Sequence, residues 1–89
     1  MRAFETDVLS HLEALSTECA LTSEVSVCRR ALIRAEVLQR QAISFGNYAC
    51  QSHLLGLGAD LLMVSLKAER EGSLLTMLKQ VNNLCSDLF

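Results

Sequence analysis

Apolar residues recur along this chain at steps of three and four, the spacing that lines up side chains on one face of an α-helix. Phe4, Val8, Leu12, Leu15 and Cys19 form one such stripe, with Leu9 beside it and Glu5, Glu13 and Glu18 elsewhere on the wheel, which predicts a helix over about residues 4–20. Thr22 or Ser23 suits the cap of a second helix, predicted over about residues 24–44. The apolar face there is Val27, Ala31, Ala35, Leu38 and Ala42, widened by Cys28, Leu32 and Ile43, with Arg29, Arg30, Glu36 and Arg40 pointing elsewhere. A last stripe, Leu74, Met77, Leu78, Val81, Leu84 and Cys85, predicts a helix over about residues 73–86.

Between these segments the backbone breakers decide the reading. The chain has no proline and four glycines, so long helices with short joints are expected. Gly46 and Asn47 suit a left-handed turn that ends the second helix, with the ring of Tyr48 packing into the hairpin. Gly56 and Gly58 fit either a break or a close helix contact. A break at Gly58 is favoured, because Asp60 can cap a fresh run, Leu61 to Val64. That reading splits the region into helices over about residues 48–57 and 60–71, the second ending at Gly72 as the residue past its C-cap, with Ser73 capping the last helix. The expectation is an all-α single domain over residues 1–89, of about five short antiparallel helices. The glycine-polar-tyrosine step adds an expectation of tetratricopeptide-like (TPR-like) hairpins.

Composition points to a partner. Hydrophobic residues are 51% of the chain and aromatics 4%, an aliphatic surplus over what the core of one 89-residue domain hides. A net charge of −2 gives no electrostatic reason to approach a phosphate backbone or an anionic membrane. The N-terminal run carries Glu5 and Asp7 where a signal peptide would need an apolar core, and no apolar run is long enough to cross a membrane, so a cytoplasmic protein is expected. The cysteines at 19, 28, 50 and 85 show no C-x-x-C and no histidine pair at ligand spacing. They are expected to be reduced, apolar-behaving thiols with no metal, and no cofactor is expected.

The stretch His53-Leu54-Leu55-Gly56-Leu57-Gly58-Ala59-Asp60-Leu61, followed by an amphipathic C-terminal helix, is similar to the end of the TPR-like chaperones of type III secretion needle proteins. The resemblance covers about residues 46–85, and Leu55-Gly56-Leu57-Gly58 is its sharp motif. It implies a bacterial cytoplasmic chaperone that cradles the amphipathic helix of a needle subunit, keeps it from polymerising before export, and is stabilised by a small helical co-chaperone in a hetero-oligomer. On that reading Leu54, Leu57, Leu61 and Leu66 are the candidate contacts, with Met63 and Met77 as adaptable ones, because aliphatic and thioether side chains give area without demanding hydrogen bonds.

Other readings are weaker on the residues. His11 and His53 are the two histidines, and a Cys50-His53 pair, although spaced for one helix face, has no third group to orient the imidazole. No enzyme is expected. Arg29, Arg30, Arg34 and Arg40 concentrate half of the basic residues on one helix, yet Glu36 interrupts the stripe and the chain lacks a positive field, which disfavours DNA. The main alternative is a structural subunit of a helical homo- or hetero-oligomer, with a small DNA-binding regulator behind it.

Overall fold

The computed structural model describes the backbone of residues 3–86 and the side chains of residues 9–86. Over that range the chain is all-α, with four helices: α1 (Ala3–Thr22), α2 (Val25–Ser44), α3 (Tyr48–Ser65) and α4 (Glu71–Cys85). Connectors over residues 23–24, 45–47 and 66–70 reverse the chain each time, so neighbours run antiparallel. Each helix packs on the next, and α1 closes against α4, where the Asn82 amide donates to the Glu13 carboxylate. Phe4 and Val8, expected on the α1 face, lie outside the described side chains.

Local chemistry explains the turns. At the end of α2, Gly46 takes the left-handed conformation (φ 74°), the Asn47 amide returns to the Ala42 carbonyl at 2.9 Å and the Gly46 amide to that of Ile43 at 3.0 Å. This pair of bonds satisfies the last carbonyls of the helix. Lys67 (φ 66°) does the same for α3 without a glycine, the Ala68 amide reaching the Met63 carbonyl and its own amide that of Val64. Because Lys67 fills that role, Gly72 is not the residue past a helix end but lies in the first turn of α4. Asn47 caps α3, its Oδ1 accepting from the Cys50 amide at 3.1 Å while its Nδ2 donates to the Leu84 carbonyl at 2.9 Å. Tyr48, expected to pack its ring into the hairpin, opens α3 and stays exposed.

The expected break at Gly58 does not occur, and the count falls from about five helices to four. A Cβ on Gly58 would sit 3.1 Å from Cδ1 of Leu32 on α2, and one on Gly56 would sit 3.0 Å from Cε of Met77 on α4. The two glycines let neighbours on both sides approach α3, and that packing offsets their helix cost of about 1 kcal/mol each. Asp60 is therefore no cap. It lies mid-helix at 3% exposure, accepting from Nε and Nη2 of Arg70 at 3.3 and 3.1 Å and from the Ser73 hydroxyl at 2.7 Å.

The core is one aliphatic cluster that includes Leu12, Leu38, Leu54, Leu57, Leu61, Val64, Leu74 and Val81. The expectation of reduced thiols is overturned: Cys19 bonds Cys28, and Cys50 bonds Cys85. The α1–α2 hairpin brings the first pair to a Cα separation of 4.9 Å, and antiparallel packing of α3 on α4 brings the second to 5.0 Å, within disulfide reach. The two bonds pin opposite ends of the bundle, one beside the α1–α2 turn and one beside Asn47.

Candidate functional site

The residues of α3 carry one charge, Asp60, and that carboxylate is spent inward on Arg70 and Ser73. Apart from the partly buried His53, α3 presents no ionisable side chain outward, and Tyr48, Leu55, Leu62 and Met63 are exposed along it, followed by Leu66 at its C-cap, 67% exposed. Tyr48, Leu55 and Leu62 follow one another at intervals of seven, which keeps them on one side of the helix. Ser52 is exposed and Gln51 partly exposed near the start of α3, but from Leu55 onward the outer side is apolar, a surface that a helix normally buries. Here the inner side is covered by the bundle and the outer side is bare.

Beside that bare side, α2 and α3 leave two adjoining hollows of about 210 and 280 Å³ that share Leu32 and Leu62. Val25, Cys28, Arg29, Leu61, Ser65 and Leu66 complete the first, and Ala35, Glu36, Gln39, Leu54, Leu55, Gly58 and Ala59 the second. Leu32, lying over Gly58, divides the floor between them. Together they form an apolar groove lined from Val25 to Gln39 on α2 and from Leu54 to Leu66 on the α3 side, a length of roughly 20 Å. A more polar hollow at one end, lined by Thr22, Ser23, Glu24, Val25, Ser26, Arg29 and Lys67, joins the groove at Val25 and Arg29. The Lys67 ammonium donates to the Ser23 carbonyl at 2.7 Å and ties the two turns together there.

The two walls differ in charge. On the α2 side the groove is lined by one cation and one anion, Arg29 and Glu36, while Arg30, Arg34 and Arg40 are exposed outside its lining, and none of the four arginines hydrogen-bonds or ion-pairs with a described residue. Among the described residues the one ion pair is Asp60–Arg70.

Of the expected contacts, Leu54, Leu57 and Leu61 prove to be core, at most 1% exposed. They lie on the inner side of α3, where Leu54 and Leu61 only edge the floor of the groove. Leu66 does line the groove, and Met63 is exposed next to it. Met77 is half-buried over Gly56 on the α4 side. The residues that do form the walls are Val25 and Leu32 at the edge of the buried face of α2 and Leu55 and Leu62 on the outer side of α3; periodicity places Leu32 on the apolar face of α2 and does not single out the other three as contacts. Cys50 is bonded to Cys85 and offers no thiol to His53, whose Nδ1 faces the Ala49 carbonyl at 2.9 Å. No helix among the described residues is long and apolar enough to cross a membrane.

No family model, curated protein or solved structure matches the chain.

Proposed function

We propose that this protein binds an amphipathic helix of another polypeptide in the groove between α2 and α3. The observation that carries the reading is the uncharged outer side of α3, an apolar stripe with an adjoining groove that only a further apolar surface would cover. A partner helix laid along it would complete the burial of Leu55, Leu62 and Leu66 and bring its own apolar stripe out of water. Leu55, Leu62 and Leu66 are already partly covered, so completing the burial of each is worth about 1–2 kcal/mol.

The narrower form of the proposal, motivated by Leu55-Gly56-Leu57-Gly58, is a cytoplasmic type III secretion chaperone that holds the needle subunit and works with a small helical co-chaperone. It carries two demands. TPR-like hairpins would have to stack with a free concave face, whereas α1 meets α4 and closes the ring. A cytoplasmic protein would also keep its thiols reduced, whereas two disulfides suit an oxidising compartment. Helix binding needs neither condition and is the part that the residues support best.

The test is co-expression with a needle-type subunit and a co-chaperone, followed by light scattering on the purified species. A defined complex that Leu62→Asp disperses supports the narrow form. Binding of generic amphipathic helices with no preference for the needle subunit leaves only the broad one. A second reading, the homo-oligomeric subunit, draws on the same bare stripe, since uncharged surfaces of two copies do not repel. A symmetric dimer in the same measurement would favour it.

A further inference from the structure

We propose that the helix occupying the α2–α3 groove is acidic along one edge and lies with that edge against α2. The inference rests on the docking role proposed above and adds the chemistry and orientation of the partner. Its basis is the asymmetry of the walls: α3 contributes no ionisable side chain to the groove's lining, whereas α2 contributes Arg29 and Glu36, so along the groove the charge of an occupant is read from the α2 side. Arg29 lines the groove, and Arg40 lies eleven residues on, three helical turns and about 16 Å along the same side of α2. Glu36 stands between them on the groove wall. At the mouth, Arg29 and Lys67 face the same hollow as Glu24. The charges lining the hollows, Arg29 and Lys67 against Glu24 and Glu36, cancel, and Arg40, beyond the lining on the same side of α2, tips the surround to positive on a chain whose net charge is −2.

Arginines that hold no partner of their own are free to make bidentate contacts with carboxylates. The match is then specific in spacing: two acidic residues eleven apart on one edge of the partner, with a polar or basic residue opposite Glu36, and apolar residues facing Leu32, Leu55 and Leu62. Electrostatics of this exposed kind adds a modest increment and fixes orientation, while the apolar stripe supplies most of the affinity.

The experiment uses the intact oxidised protein and two synthetic helical peptides of about 20 residues, long enough to cover the groove of roughly 20 Å with a turn or more to spare. Both share one Leu/Ala face; one carries Glu at the two edge positions, the other Lys. Fluorescence anisotropy is read at low and at high salt. The Glu-edged peptide should bind about tenfold tighter at low salt, the difference should shrink as salt screens it, and Arg29→Glu with Arg40→Glu should invert the order. Both arginines are exposed, and unchanged circular dichroism serves as the folding control. Equal affinities, or a preference for the Lys edge, overturn the acidic-edge inference while leaving the groove standing. Failure of both peptides to bind overturns the groove reading itself. A dimer of the free chain that Leu62→Asp converts to monomer overturns the inference too, since the occupant is then a second copy.

Discussion

Leu61 and Leu62 are neighbours in α3 with opposite surroundings: the first is wholly enclosed by the bundle, the second half exposed on the wall of a groove. The same division runs along the helix, with Leu54, Leu57, Leu61 and Val64 inside and Tyr48, Leu55 and Leu62 outside. On α2 the outward side is arginine-rich, as the surface of a water-facing helix should be. The contrast teaches that one apolar stripe on α3 serves the fold and that the second has no use within the chain. If that is right, changes on the inner side cost stability, and changes on the outer side cost binding.

The largest inner effect concerns Cys50, which ties the start of α3 to the end of α4. Replacing Cys50 and Cys85 with serine frees a 35-residue loop and should cost about 4 kcal/mol by chain entropy, whereas freeing the nine-residue loop of Cys19 and Cys28 should cost about 2.5. Urea melts of the two double variants compare them directly. A larger loss at Cys19–Cys28 would mean that the α1–α2 end, not the α3–α4 end, limits the bundle. Next is the Leu61 and Leu62 pair itself. Leu61→Ala should cost about 3 kcal/mol and Leu62→Ala about 0.5 or less, with the order reversed in affinity for a partner helix. Similar melting losses for both would erase the distinction between the faces.

A third comparison uses the one charge on α3. Arg70→Ala leaves the buried Asp60 carboxylate with Ser73 alone, and should cost about 2 kcal/mol. Asp60→Ala should cost less, because the Arg70 side chain is already 52% exposed and returns to water. If the aspartate variant were the weaker of the two, the carboxylate would be organising the 66–70 turn beyond its direct bonds.

Much of this was legible in the sequence where helices are two-sided. The buried face of α2, Val27, Cys28, Ala31, Ala35, Leu38 and Ala42, lies within the set that its periodicity picks out, of which Leu32 and Ile43 stay outside the core, and α4 buries Leu74, Leu78, Val81 and Cys85 from its expected stripe. α3 was misread because it has no polar side to phase the pattern. Its glycines then looked like a break, and the resemblance alone put the core residues Leu54, Leu57 and Leu61 among the candidate contacts. A glycine pair in a helix means a break or a contact depending on what lies opposite, here Leu32 and Met77, which only the tertiary arrangement supplies. The disulfides escaped for the same reason: four cysteines allow three pairings as well as none, and sequence spacing does not choose.

The smallest expected effect separates the faces most finely, because it places the same substitution two residues apart. Alanine at a helical glycine gains up to about 1 kcal/mol in helix propensity. At Gly56 the new Cβ meets the end of the flexible, half-buried Met77 side chain, which can swing aside, so Gly56→Ala should be neutral to slightly stabilising, with binding unchanged. At Gly58 it meets Leu32, which can yield only by tilting into the hollows it divides. Stability should again change by no more than about 0.5 kcal/mol, since the gain in propensity and the repacking of a half-buried leucine oppose each other. Affinity for a helical peptide should nevertheless fall several-fold, because the groove floor has risen. A Gly58→Ala protein that binds as the parent does would remove Leu32 from the docking surface and leave the outer stripe of α3 to act alone. One that unfolds would instead make the Leu32–Gly58 contact a rigid element of the core.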